Sequence, residues 1–162
     1  MKVIKIIILG ITGMLGHALF FELSKRKEFD IWGTVRDGDG IGEWFGPDMI
    51  PKIITGAEAG DFNRLEKIIL DHRPVVVINC IGIIKQIPLA NDPIASISIN
   101  ALFPHRLARL CIESGSRLIH VSTDCVFSGQ KGNYTEKDQS DAKDLYGKTK
   151  FLGEVAYPHS IT

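Results

Sequence analysis

Tyr146 and Lys150 stand four residues apart in a stretch with helical spacing, which puts both on one face about a turn apart. An ammonium beside a phenol favours the phenolate, and a phenol so placed can exchange a proton near neutral pH. Thr123 follows a short apolar run, where its hydroxyl is positioned to help bind a substrate oxygen. A tyrosine and a lysine at this spacing are, on their own, far more often part of a solvated helix face. What sets this pair apart is its company at the other end of the chain. There a β-branched run from Val3 to Leu9 leads into Gly10-Ile-Thr-Gly-Met-Leu-Gly16, followed by Leu15, Leu19 and Leu23 at helical spacing. Strand, glycine turn and helix N-terminus together hold a pyrophosphate, through free N–H groups and the positive end of the helix dipole. The spacing is G-x-x-G-x-x-G and not G-x-G-x-x-G, so the triplet alone also fits a plain tight turn.

The elements that must position these residues can be followed along the chain. A second strand is expected over Asp30 to Arg36, ending in a basic residue, then a glycine-rich loop to Gly46. A short third strand lies within Met49 to Thr55, and Gly56 to Gly60 form a turn. Asp61 is a good N-cap for a helix carrying Leu65, Ile68 and Ile69, which Pro74 ends. Val75 to Ile81 is a second continuous apolar run that exits through Asn79-Cys80-Ile81-Gly82. Asn91-Asp92-Pro93 opens a long helix to about Ser114, with Pro104 expected to kink or split it. Leu118 to Ser122 is another strand, Ser128 to Asp144 a polar loop, and Leu145 to Tyr157 a final helix. Strands alternating with helices specify an α/β fold: a Rossmann-type doubly wound parallel sheet with helices on both faces. The expected ligand edge is the row of strand ends at Gly10, Arg36, Gly82 and Ser122-Thr123.

The chain has 162 residues, enough for one domain with a sizeable core. Lys plus Arg and Asp plus Glu number 19 each, so no global field favours nucleic acid or an anionic membrane. No apolar run approaches the ~20 residues of a membrane span. The opening Met-Lys-Val-Ile-Lys runs straight into the glycine turn and is taken as a first strand, not a leader. Cys80, Cys111 and Cys125, odd in number and widely spaced, argue against a disulfide framework or a metal site and for reduced thiols in a cytoplasm. The segment from Tyr157 to Thr162 looks like a helix ending at Pro158 with a strand beginning. The chain is therefore expected to be the N-terminal portion of a longer protein.

Taken together, Gly10 to Gly16, Asn79 to Gly82, Asn100-Ala101, Ser122-Thr-Asp-Cys-Val-Phe-Ser-Gly129 and Tyr146-Gly-Lys-Thr-Lys150 resemble the extended short-chain dehydrogenase/reductases, and among them the dTDP-4-dehydrorhamnose reductase family. The resemblance implies one NAD(P)-binding Rossmann domain over 1–162, with most of the substrate-binding lobe missing. It implies that Gly10, Thr12, Gly13, Met14, Leu15 and Gly16 hold a dinucleotide pyrophosphate. Arg36 would accept the 2′-phosphate of NADPH, with NADH as the alternative cofactor. Asp61 and Phe62 would lie beside the adenine, Cys80, Ile81 and Gly82 along the nicotinamide ribose, and Asn100 would prop the site.

In family logic NADPH reduces the ketone of a nucleotide-diphosphate 4-keto-6-deoxy sugar. Tyr146 protonates the forming alkoxide, Lys150 bonds the nicotinamide ribose, and Thr123 orients the carbonyl. His105 and His120 are taken as structural. Cys125 stands where a substrate-facing Tyr is common, and Ile83-Ile84-Lys85-Gln86 replaces the usual polar and acidic residues, so a UDP-linked amino sugar is as plausible as dTDP-4-keto-rhamnose. The expected partners are a nucleotide-sugar substrate and a second copy in a homodimer, without nucleic acid or membrane. The portion at hand is expected to bind NADPH weakly or moderately and to turn over poorly. The competing readings are an epimerase or dehydratase of the same superfamily, which Arg36 argues against, and a non-catalytic regulatory subunit like that of methionine adenosyltransferase.

Overall fold

The first strand, β1 (Ile4–Leu9), alternates between two cores. Ile7 and Leu9 point to one face of the sheet and Ile6 and Ile8 to the other, all of them buried. A strand covered on both faces has no polar side to keep, which is why its sequence is continuously apolar. Each such side chain contributes about 1.5–3 kcal/mol by leaving water. The structure is a computed structural model and describes residues 3–162; Met1 and Lys2 lie outside the described residues.

Five more strands run parallel to β1: β2 (Phe29–Thr34), β3 (Ile53–Ile54), β4 (Val76–Asn79), β5 (Arg117–His120) and β6 (Ser160–Ile161). Their order across the sheet is β3-β2-β1-β4-β5-β6. The helices are α1 (Met14–Ser24), α2 (Ile41–Trp44), α3 (Phe62–His72), α4 (Pro93–Ser96), α5 (Phe103–Ser114) and α6 (Leu145–Leu152). Phe20 of α1 packs with Ile6, Ile8, Ile31 and Ile78 on one face. Leu65, Ile68 and Ile69 of α3 meet Phe103, Leu107 and Leu110 of α5 over Ile7, Leu9, Val77 and Leu118 on the other. The expected doubly wound sheet is thus present, and the strand order reverses between β1 and β4.

The structure forms a short helix, α2, inside the glycine-rich loop expected up to Gly46, and redraws three further stretches. The hydrogen-bonded strand β2 stops at Thr34, although its backbone stays paired for two more residues. Val35 N–H donates to the Ile54 carbonyl at 3.0 Å, and Gly56 N–H donates to the Arg36 carbonyl at 3.1 Å. The long helix expected to Ser114 is interrupted just before Pro104. The segment Ile97–Leu102 between α4 and α5 is a π-helix, with Phe103 N–H donating five residues back to the Ser98 carbonyl. That wider turn carries the chain past a residue that has no N–H to give and whose ring crowds the carbonyl four residues earlier. Finally, α6 ends at Leu152, well short of Tyr157, with Gly153 as C-cap. His105 fastens this end: its Nε2 donates to the Leu152 carbonyl at 2.7 Å and its Nδ1 meets the Tyr157 hydroxyl at 3.0 Å. His105 is therefore structural.

Candidate functional site

At the reversal of strand order, the turns after β1 and β4 part and leave a crevice. Gly10 leaves β1 at φ +83°, a left-handed conformation that favours glycine, and its N–H donates to Thr34 Oγ1 at 3.2 Å. The Gly13 N–H closes the turn onto the Gly10 carbonyl at 3.2 Å. Gly13 then caps α1 with no side chain, so the first-turn amides have no capping acceptor. Three other helices, α3, α4 and α6, are capped by a side chain. Asp61 accepts from Arg64 N–H at 3.0 Å, Asp92 from Ile94 N–H at 2.9 Å, and Asp144 from Gly147 N–H at 2.8 Å.

A cavity of about 280 Å³ opens at the turn that leads into α1. Gly10, Thr12 and Gly13 form its base, and Thr34, Val35 and Arg36 enter from the end of β2. Ala57, Glu58 and Ala59 come from the turn after β3, and Cys80 to Ile83 from the end of β4. Ile87, Leu89 and Ile99 complete the wall. Arg36 and Glu58 are the two charged residues in this lining.

Of the residues singled out from sequence, Gly10, Thr12, Gly13, Arg36, Cys80, Ile81 and Gly82 thus meet at one cavity. Gly16 is buried behind the turn, while Met14, 92 % exposed, and Leu15 stand outside the lining. Asp61 and Phe62 are placed away from it. The Asp61 carboxylate is occupied as an N-cap, and the Phe62 ring packs edge-on against Phe103 under the Arg106 guanidinium. The post-β3 residues at the cavity come earlier, at 57–59, because Gly56 and Ala57 still pair with the tail of β2. Gly56, immediately after a short apolar run, was the available sequence signal for that exit.

Asn100 does not line the cavity but shapes it. Its Oδ1 accepts from Ile83 N–H at 2.8 Å and its Nδ2 donates to the Ile83 carbonyl at 3.0 Å. Both backbone groups of a buried loop residue are satisfied by one amide side chain, which fixes the loop after β4.

Two residues farther along that loop, Lys85 reaches Asp144 at 2.8 Å, tying it to the N-cap of α6. Gly147 N–H and then Lys85 hold the Asp144 carboxyl below its usual range. Helix α6 carries Tyr146 and Lys150. The Lys150 side chain is buried, and its Nζ donates to the Val121 carbonyl at 2.7 Å. Burial pulls this ammonium below its ordinary pKa, with the Glu154 charge opposing. Thr123 Oγ1 accepts from Cys125 N–H at 3.2 Å, capping the turn Asp124–Val126. Lys150 is thereby anchored two residues before Thr123, and Lys85 is the cation within electrostatic reach of Tyr146 and Cys125. Sequence reasoning missed this role of Lys85, whose partner is 59 residues away. Lys85, Cys125, Phe127, Lys143 and Asp144 line a second cavity of about 250 Å³ on this side.

His120, 2 % exposed, sits beneath. The Asn79 amide oxygen is taken by Ile81 N–H at 3.0 Å, so its Nδ2 donates to His120 Nδ1 at 3.0 Å and the histidine proton lies on Nε2, a buried atom without a partner. Burial, then the charges of Lys150 and His105, push this imidazole from 6.5 down to about 3. Below pH 6.5 an unfolded chain takes up a proton here that the folded chain refuses. Stability therefore falls with decreasing pH, by about 1.4 kcal/mol per unit from this group, until the folded form titrates. Wild type should lose about 2 kcal/mol through this residue between pH 7 and pH 5. In urea titrations His120→Gln should flatten that slope. Parallel pH dependence in the two proteins would show that His120 does not carry it.

Burial also raises Cys80 to about 11 and Cys111 to about 12, and all three cysteines are free. Among the described residues no helix is long and apolar enough to cross a membrane.

A parallel sheet in this order, a glycine cradle at its switch point, and Tyr146 and Lys150 four residues apart on α6 define an extended Rossmann-type protein of the short-chain dehydrogenase/reductase kind. More narrowly, the chain belongs to the dTDP-4-dehydrorhamnose reductase-like family: the family model "RmlD substrate binding domain" matches residues 4–161. It is 31 % identical over 152 residues to methionine adenosyltransferase 2 subunit beta of Bos taurus, which covers 94 % of this chain and 42 % of that protein. It is 34 % identical over 116 residues to dTDP-4-dehydrorhamnose reductase of Mycobacterium tuberculosis, covering 68 % of this chain and 38 % of that protein. Among solved structures, a hypothetical dTDP-4-dehydrorhamnose reductase from Sulfolobus tokodaii superposes with a TM-score of 0.76 at 30 % identity, over 93 % of this chain and 50 % of that one. The dTDP-4-dehydrorhamnose reductase of Bacillus anthracis in complex with NADP gives 0.73 at 25 % identity, over 94 % and 48 %. The chain thus spans at most about half the length of these relatives.

Proposed function

We propose that the protein containing this chain is an NADPH-dependent reductase of a nucleotide-diphosphate 4-keto-6-deoxy sugar, working in the cytoplasm. The observation that carries this reading is one cavity that joins Arg36 to the Gly10–Gly13 turn, which leads into the uncapped N-terminus of α1. These residues fit a dinucleotide. The missing cap leaves donors for a pyrophosphate, and the absent Cβ atoms let it approach the backbone. Arg36 makes no ion pair among the described residues and can meet a 2′-phosphate through charge-assisted bonds. The relative from Bacillus anthracis, in complex with NADP, supports the same assignment.

NADPH, when bound, supplies hydride to the sugar ketone. The chain's own residues do the remainder. Tyr146 delivers a proton to the forming alkoxide, and Thr123 Oγ1 helps hold the ketone oxygen. Lys150 would bond the cofactor ribose and supply positive charge there. Its hydrogen bond to the Val121 carbonyl uses one of three donors and leaves two.

Fluorescence titration with NADPH and NADH tests the cofactor half. NADPH should bind about tenfold or more tightly, and Arg36→Ala should erase that preference. Equal affinities, or a preference for NADH, would overturn the reading and favour an epimerase. A second reading is kept by the likeness to methionine adenosyltransferase 2 subunit beta over 94 % of the chain: a dinucleotide-binding subunit without reductase activity. Such a module has no need of Tyr146, Lys150 and Thr123 as a set. Oxidation of NADPH on adding the dTDP- or UDP-linked keto sugar to the complete protein separates the two.

A further inference from the structure

Only two charges line the larger cavity, and they are opposite. Arg36 and Glu58 leave neighbouring strands on backbone that is still paired: Ala57 N–H donates to the Val35 carbonyl at 3.0 Å and Gly56 N–H to the Arg36 carbonyl at 3.1 Å. Both residues therefore reach the same cavity at the carboxyl edge of β2 and β3. Both are exposed, and among the described residues they form no ion pair with each other or with any other group. No hydrogen bond occupies the Glu58 carboxylate among the described residues, so folding within the chain does not account for it.

We propose that Glu58 is a specificity-determining residue that opposes Arg36, restraining the site's preference for a dinucleotide carrying a 2′-phosphate over one carrying a free ribose diol. This rests on the reading that the cavity takes a dinucleotide with Arg36 at the 2′ position. A 2′-phosphate brings close to two negative charges into a cavity whose two side-chain charges cancel. It gains from the guanidinium and loses to the carboxylate at the edge of the same cavity. A neutral diol has hydroxyl donors to offer and meets Glu58 as an acceptor. Removing the carboxylate therefore helps the phosphorylated ligand and costs the other.

The test is a fluorescence titration of this chain, wild type, Glu58→Gln, Glu58→Lys and Arg36→Ala, with NADPH and NADH. Displacement by adenosine 2′,5′-bisphosphate and by AMP then localises any change to the 2′ position. Glu58→Gln should raise the NADPH-to-NADH affinity ratio about fivefold, and Glu58→Lys should raise it further. The increase should shrink in 1 M salt, where the screening length is about 3 Å, which a purely structural effect would not do. An unchanged or lowered ratio in Glu58→Gln, while Arg36→Ala still erases the preference, overturns the role of Glu58 and leaves the cofactor reading standing. A ratio unmoved by Arg36→Ala, or no binding of either dinucleotide, overturns that reading and this proposal with it.

Discussion

Gly16→Ala should destabilise the fold by about 3 kcal/mol or more and remove dinucleotide binding in whatever folded protein remains. A Cβ at this position would lie inside the contact distance of the Gly10 carbonyl oxygen, 2.9 Å from the Gly10 carbonyl carbon and 3.1 Å from Ile11 Cα. All three are backbone atoms, so no rotamer change relieves the overlap. Gly10 itself is held by its positive φ and its bond to Thr34, and Ile11 is fully buried. Helix α1 would have to retreat from β1, loosening Phe20 in its core and distorting the Gly10–Gly13 turn that lines the cavity. Gly13→Ala is the control. A Cβ there meets only the Gly10 oxygen, at 3.5 Å, an ordinary contact, so its stability should stay within about 1 kcal/mol of wild type. Urea midpoints of the two variants settle the matter, and equal losses would mean that the third glycine is not a packing constraint.

That contrast also shows what the sequence could convey. The strand β1 was legible because burial on both faces demands an unbroken apolar run, and the Asp61 and Asp92 caps because a cap is made within three residues. The switch-point edge followed from the alternation of strands and helices. Residues set by distant partners were not legible. Ala57 to Ala59 reach the cavity because the end of the two-residue β3 is registered by the tail of β2, and nothing local distinguishes them from Asp61 and Phe62. Lys150 was expected beside the phenol of Tyr146, yet its hydrogen bond goes to Val121, 29 residues away. Pro104 signalled the interruption of its helix but not the form it takes. The Asn100 grip on Ile83 and the contacts of α6 hold the π-helical turn in place, and both are tertiary.

Tyr146→Phe in the complete protein should lower kcat by about 10²–10⁴-fold, the usual contribution of a positioned proton donor. Its affinity for NADPH should stay within about twofold of wild type. The separation is expected because the Tyr146 hydroxyl forms no hydrogen bond among the described residues, so its removal leaves no buried group unsatisfied. The helix that carries it is fixed independently, by the Asp144 cap, the Lys85 ion pair and the buried stem of Lys150. Lys150→Met should behave differently, losing cofactor affinity together with rate, since Lys150 is assigned to the ribose as well as to the charge of the site. Steady-state rates with the keto sugar, paired with direct NADPH titrations, resolve the two patterns. A Tyr146→Phe enzyme with full reductase activity would sink the proton-donor role. A loss of rate accompanied by an equal loss of NADPH affinity would place Tyr146 in binding, leaving the proton to come from another group in the 250 Å³ cavity beside it.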